Sequence, residues 1–284
     1  MSAGKSLLQR VEDRIAAGDV ALPTPNQLAT RLQGITRDPD FDLQEVVALV
    51  SQDAVLTAEI LRVANSSFYG GLTEIRTVRD AAVRLGAPEL VRLTVLATQK
   101  GDYTVASSVL KPFVGPLWDH AAAVALGAGW LAKRLGFSDL QNEAFVAGLL
   151  HDIGGLVLVK ALDEIAKDAE EPLRISESLF QEIYLAAHAK EGYALVESWD
   201  LPDVYAEVVR DHHAEDLADR GTLVNLVALA DKVARRLAIG IESDPSLVPA
   251  AAEEAHTLGA SDIMLAELAI LLEDVAQGRR VPAV

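Results

Sequence analysis

The chain has 284 residues, half of them hydrophobic and 24% charged, with a formal net charge of −17 and no cysteine. That length can bury the core of one large domain or two modest lobes, and the missing cysteines exclude disulfide staples, zinc-thiolate sites and a redox dithiol. The negative charge repels nucleic-acid phosphates and anionic lipid, so no nucleic acid is expected as a partner, and the basic pairs Arg76/Arg79, Arg84/Arg92 and Arg235/Arg236 read as solvated helix surfaces.

The stretch 1–20 mixes charges with apolar positions and lacks the continuous apolar core of a signal peptide. Leu7, Leu8, Val11 and Ile15 form an amphipathic helix that closes near Gly18. Leu22-Pro23-Thr24-Pro25 then forces an extended stretch. Asp42 with Glu45 has capping-box spacing ahead of a helix through Val46, Val47, Leu49 and Val50, and a further helix through Leu56, Ile60, Leu61 and Ala64 stops at Asn65-Ser66-Ser67. Thr77 with Asp80 offers another cap, Gly86 ends that helix, and Pro88 suits the first turn of the next, which runs to about Thr98.

Gly101-Asp102 and the Pro112/Gly115/Pro116 cluster loosen the chain before a second helical series, and the lobe boundary is expected there. The series predicts helices over 118–135, 141–160, 176–197, 202–213 and 222–238, a connector over 240–260 with one short helix, and a last helix over 262–277. The expected organisation is an N-terminal helix (1–19), an N-terminal helical lobe (20–101), a second helical lobe (102–239) and a C-terminal helical extension (240–284), all-α throughout. Charged residues punctuate every apolar run short of the ~20 residues that cross a bilayer, so membrane insertion is not expected and a cytoplasmic location is.

His120 shares an inward stripe with Leu117 and Val124, and Asp231 shares one with Val227 and Ala234, where an unpaired carboxylate is costly. Taken singly, each has an ordinary structural role. His120 or His188 can be a hydrogen-bonded core residue, His212 and His213 can sit at a helix end, and Asp231 can accept from a histidine or neutralise an arginine.

The ordered motifs say more. LPTPNQLATRLQGITRDPDFDLQEVVALVSQDAVLTAEILRVANSSFYG, IRTVRDAAVRLGAPELVRLTVLA, WDHAAAVALGAGWLA, EAFVAGLLHDIGGLVL, HAKEGYALVESWDLP and the terminal His-His together resemble the HDOD family over about residues 20–236. The resemblance implies a multi-helical HDOD architecture, an N-terminal helical lobe packed on an HD-like lobe, related to the HD-type metal-dependent phosphohydrolases and used in bacterial signalling. It also implies a ligand set of His120, His151, Asp152, His188, His212, His213 and Asp231, with Asp152 placed to bridge, for one or two divalent ions among which Fe, Mn, Zn and Mg are not distinguished.

Catalysis is less strongly implied. Related cyclic-dinucleotide phosphodiesterases follow the His-Asp motif with a substrate-engaging lysine, where this chain has Gly155. Their Gly-Tyr-Pro signature is missing from DHHAEDLADRGT, and Pro116 replaces a glutamate one turn before the first ligand histidine. The leading expectation is a regulatory protein that binds a protein partner or a small ligand. The alternatives are a phosphohydrolase acting on a nucleotide or cyclic dinucleotide through Asp152 and the metal set, and a nucleotide sensor without turnover. Ala-rich helix surfaces would tolerate a homodimer.

Overall fold

A computed structural model describes residues 5–22, 43–51, 54–65, 74–199 and 201–277, and every regular element among them is helical. The chain divides into two compact units, Met1–Pro23 with Tyr103–Leu272 and Thr24–Asp102 with Glu273–Val284.

In the smaller unit, α2 (Leu43–Ser51), α3 (Ala54–Ala64), α4 (Val78–Leu85) and α5 (Ala87–Gln99) bury Val46, Val50, Ile60, Ala81, Leu90 and Leu93. Thr77 caps α4 by accepting from the Asp80 amide at 3.0 Å, and Gly86 ends it in a positive-φ conformation that a side chain would strain. Asn65 links the end of α3 to the segment before α4, donating to the Ile75 carbonyl and accepting from the Ile75 amide, each at 2.8 Å. Arg92 is buried and paired with Glu89, so this member of the basic pairs is not a solvated surface cation. Pro23 to Asp42, with its expected extended stretch and capping aspartate, and Ser66 and Ser67 lie outside the described residues.

In the larger unit α1 (Leu7–Ala16) carries a Ser6/Gln9 capping box. It is followed by α6 (Lys111–Arg134), α7 (Gln141–Leu150), α8 (Ile153–Asp168), α9 (Glu177–Glu197), α10 (Asp203–Asp211), α11 (Thr222–Arg236), α12 (Glu253–Leu258) and the part of α13 (Asp262–Gln277) up to Leu272. Two expectations need correction. α6 begins at Lys111 and carries Pro116 inside it. Pro112 sits in the first turn, where no amide bond is lost, and Pro116 forfeits a single bond near the helix start, so neither stops the helix. The single helix expected over 141–160 is two helices, broken at His151–Asp152.

Helix α6 runs through the middle of this unit, against α7 and α11, and α8 packs on α9. Gly154 and Gly192 set the spacing of the second pair: a Cβ on Gly154 would stand 1.8 Å from the His188 carbonyl oxygen, so the two backbones touch. Asp163 of α8 accepts the amides of Ala106 and Ser107 at 3.0 and 2.8 Å, anchoring the segment that leads into α6. Residues Ser138–Asp168 have the length and composition of a membrane span, but the window is 89% buried within the protein and the His151–Asp152 break divides it.

Candidate metal centre

Neighbouring residues of an unbroken helix point about 100° apart and cannot share a target. The break between α7 and α8 removes that restriction at His151 and Asp152. Asp152 occupies the N-cap position of α8 yet makes no side-chain cap bond, so its carboxylate is turned away from its own helix. His120 arrives from α6, His188 from α9, His212 from the C-cap of α10 and Asp231 from α11; these six side chains are buried.

Four imidazoles are oriented in the same way. Nδ1 of His120 donates to the Ile239 carbonyl (2.9 Å), that of His151 to Gly148 (2.7 Å), that of His188 to Tyr184 (2.7 Å) and that of His212 to Val208 and Val209 (3.1 and 3.0 Å). A neutral imidazole with its proton on Nδ1 carries a lone pair on Nε2, and these Nε2 atoms converge on the two carboxylates.

Asp152 Oδ2 lies 3.3 Å from His120 Nε2 and 3.5 Å from His151 Nε2, while its Oδ1 lies 3.4 Å from His188 Nε2 and 3.3 Å from His212 Nε2. The two oxygens of one carboxylate thus face two histidine pairs. Asp231 Oδ1 lies 3.2 Å from His120 Nε2, and His120 and His151 bring their Nε2 atoms to 3.1 Å. His213 is partly exposed, with Nδ1 3.9 Å from Asp231 Oδ2.

Asp152 Oδ1, His188 Nε2 and His212 Nε2 are buried without a hydrogen-bond partner. Buried acceptors facing acceptors are costly unless a proton or a cation stands between them. Donors held 2.0–2.2 Å from one divalent ion stand roughly 3 Å apart at neighbouring positions, close to the separations seen here. The donor atoms fall into two groups, Asp152/His188/His212/His213 and His120/His151/Asp231, each drawn together within 4.8 Å. The residues therefore fit a metal, and the donor set of imidazole and carboxylate suits several.

Without an ion the electrostatics divide the histidines. Burial lowers His120, but hydrogen bonds with Asp152 and Asp231 outweigh it and push it up to about 10. Burial drives His151 down to about 4 and, with the neighbouring His212, takes His213 down to about 3. Burial would raise both carboxyls, yet the surrounding histidines hold Asp152 and Asp231 well below the usual carboxylate range.

All seven residues expected from the sequence are in this cluster; His256 is exposed and outside it. Sequence reasoning missed three others. Tyr184 donates its hydroxyl hydrogen to Asp152 Oδ2 and stacks its ring on His188, with centroids 4.5 Å apart. It lies one helical turn before His188, at a position where a tyrosine reads as core. Arg235, read as surface, is only 17% exposed; it pairs with Glu242 and approaches Asp231 Oδ2 to 3.5 Å. Gly240, at φ +120°, lets the chain pass so close to His120 that a Cβ would stand 3.0 Å from its ring, which is how the Ile239 carbonyl reaches Nδ1.

The sequence model of the HDOD domain matches residues 22–215. A Treponema pallidum (strain Nichols) protein, itself uncharacterized, is 30% identical over 227 residues, 74% of this chain; the chain spans 42% of that relative's length. Among solved structures, an HDOD domain protein of unknown function from Geobacter sulfurreducens superposes with a TM-score of 0.71 at 25% identity, covering 95% of this chain and 96% of its own. A Shewanella amazonensis SB2B protein provisionally named a metal-dependent phosphohydrolase has a TM-score of 0.67 at 20% identity, covering 96% and 97%, a likeness of fold.

Proposed function

The chain belongs to the HDOD family, and from that premise we propose that it is a cytoplasmic signalling protein that acts by binding a protein partner or a small ligand, around an HD-type centre that holds one or two divalent ions without turning over a phosphoester. His120, His151, Asp152, Asp231, His188, His212 and His213 would hold the ions. A bound ion would neutralise the two buried carboxylates and supply a Lewis acid at the side of the cluster where His213 meets solvent.

The observation that carries the non-catalytic reading is at Gly155. Where related phosphodiesterases place a substrate-engaging lysine, a Cβ on Gly155 would already stand 2.7 Å from Leu117 Cδ2 and 2.9 Å from Tyr184 Cε2. The space such a side chain needs is filled. Arg235, a cation at the edge of the cluster, is engaged by Asp231 and Glu242. Metal ligation is thus supported while phosphate capture is not.

A second reading, hydrolysis of a nucleotide or cyclic dinucleotide with Asp152 at its centre, is favoured by the partial exposure of His213, which leaves the cluster reachable. The discriminating experiment is a phosphoester panel with protein loaded separately with Fe, Mn, Zn and Mg. The proposal expects no product formation that depends on Asp152; turnover abolished by Asp152→Ala would establish the hydrolase. A nucleotide that raises the melting temperature and stays intact would identify the small ligand.

A further inference from the structure

We infer that Tyr184 is a positioning residue: admitted by Gly155, it fixes Asp152 as a bridge between the two histidine pairs, so that the centre holds two ions. The inference rests on the metal reading above and extends it to one residue's role.

The Asp152 carboxylate receives no anchor from its own helix, because it leaves α8 uncapped. What it does receive is the Tyr184 hydroxyl on Oδ2. Tyr184 is itself held rigidly. It is 3% exposed and its ring lies nearly parallel to that of His188, at an interplanar angle of 12°. With Oδ2 fixed on the side of His120 and His151, Oδ1 is left facing His188 and His212. Each group of nitrogens then has one oxygen of the same carboxylate.

Without the hydroxyl, the Asp152 carboxylate would lose the contact that keeps one oxygen toward each histidine group. The His120/His151 group would keep Asp231 as an anionic ligand. The other group would be reduced to His188, His212 and His213, three imidazoles with no charge to offset that of the cation. The loss should therefore fall on one ion.

Gly155 makes the arrangement available. Its missing side chain is the space occupied by the Tyr184 ring edge, since a Cβ there would meet Tyr184 Cε2 at 2.9 Å and Cδ2 at 3.3 Å. The glycine that departs from the phosphodiesterase pattern and the tyrosine that anchors Asp152 form one structural unit.

The test is a titration of the metal-free full chain with Mn2+, reading bound ions per chain by equilibrium dialysis and the spin coupling of paired ions by electron paramagnetic resonance. Wild type is expected to bind two ions with a coupled spectrum. Tyr184→Phe, which keeps the ring, should retain the first ion, weaken the second about 10- to 100-fold and lose the coupled signal, while its helical circular dichroism persists. Gly155→Ala, which crowds the ring, should show the same selective loss. Two ions bound with unaltered affinities in Tyr184→Phe would overturn the inference, as would a single ion in wild type, and both outcomes leave the metal reading standing. No ion in wild type would overturn both.

Discussion

Asp163 shows on a small scale how this protein uses buried carboxylates. It accepts two backbone amides, Ala106 and Ser107, 57 and 56 residues away in sequence. Burial would raise its pKa, but those amides and Lys167 outweigh it and hold the carboxyl below the usual range. A carboxyl depressed in the folded state adds stability that is fully present above its unfolded pKa, about 3.9, and is lost as the pH falls through the folded value. Asp163→Ala is therefore expected to cost about 1.5–3 kcal/mol near neutral pH, measured by urea unfolding, with the gap to wild type closing below about pH 4. A gap independent of pH would show that packing, and not the charge, is what Asp163 contributes. Asp152 differs in what receives it: imidazole Nε2 atoms and the Tyr184 hydroxyl, not backbone amides. The ligand types of the cluster were legible through the resemblance carried by the ordered motifs, since an inward His or Asp taken singly has an ordinary structural reading. Tyr184 was not, since a tyrosine on an apolar face reads as core until its hydroxyl is seen to have a carboxylate partner.

At the scale of elements, the contact of α8 with α9 sets the distance between Asp152 and His188. Gly154 lies against the His188 carbonyl and Gly192 against the Gly154 amide, with no side chain between them. Gly154→Ala must push the helices apart, because a Cβ cannot share the position of a carbonyl oxygen; overpacking of this kind costs about 1–3 kcal/mol or more. The expected outcome is a lower melting temperature together with weaker ion binding, and an unchanged melting temperature would mean that the backbones are not in contact. This scale was read less completely from the sequence. Periodicity continues across His151 and Asp152, since Leu149, Leu150, Ile153 and Leu156 are all buried, so the pattern alone carried one helix through 141–160. What breaks it is the turning of two adjacent polar side chains toward one cluster, a tertiary demand that periodicity does not record. Pro116 misled in the opposite direction, because a proline near a helix start removes little. By contrast the caps at Thr77 and Gly86 and the final helix over 262–277 follow from local chemistry and were readable as such.

For the molecule as a whole, the fold gathers the seven histidines and aspartates into one cluster that could hold a metal, and it fills the space beside Gly155 with Leu117 and Tyr184. All-α architecture and family membership were legible from several ordered motifs at once, whereas the closure at Gly155 needed the positions of Leu117 and Tyr184. The most direct test is elemental analysis of bound metal on the full chain, purified without affinity tag or chelator, beside the His151→Ala/Asp152→Ala double variant. One or two equivalents of a divalent metal in wild type, lost in the variant while its helical circular dichroism persists, is the predicted result. A wild-type protein that stays metal-free even after reconstitution with Fe, Mn, Zn and Mg would contradict the account and leave the cluster as a network of buried protons.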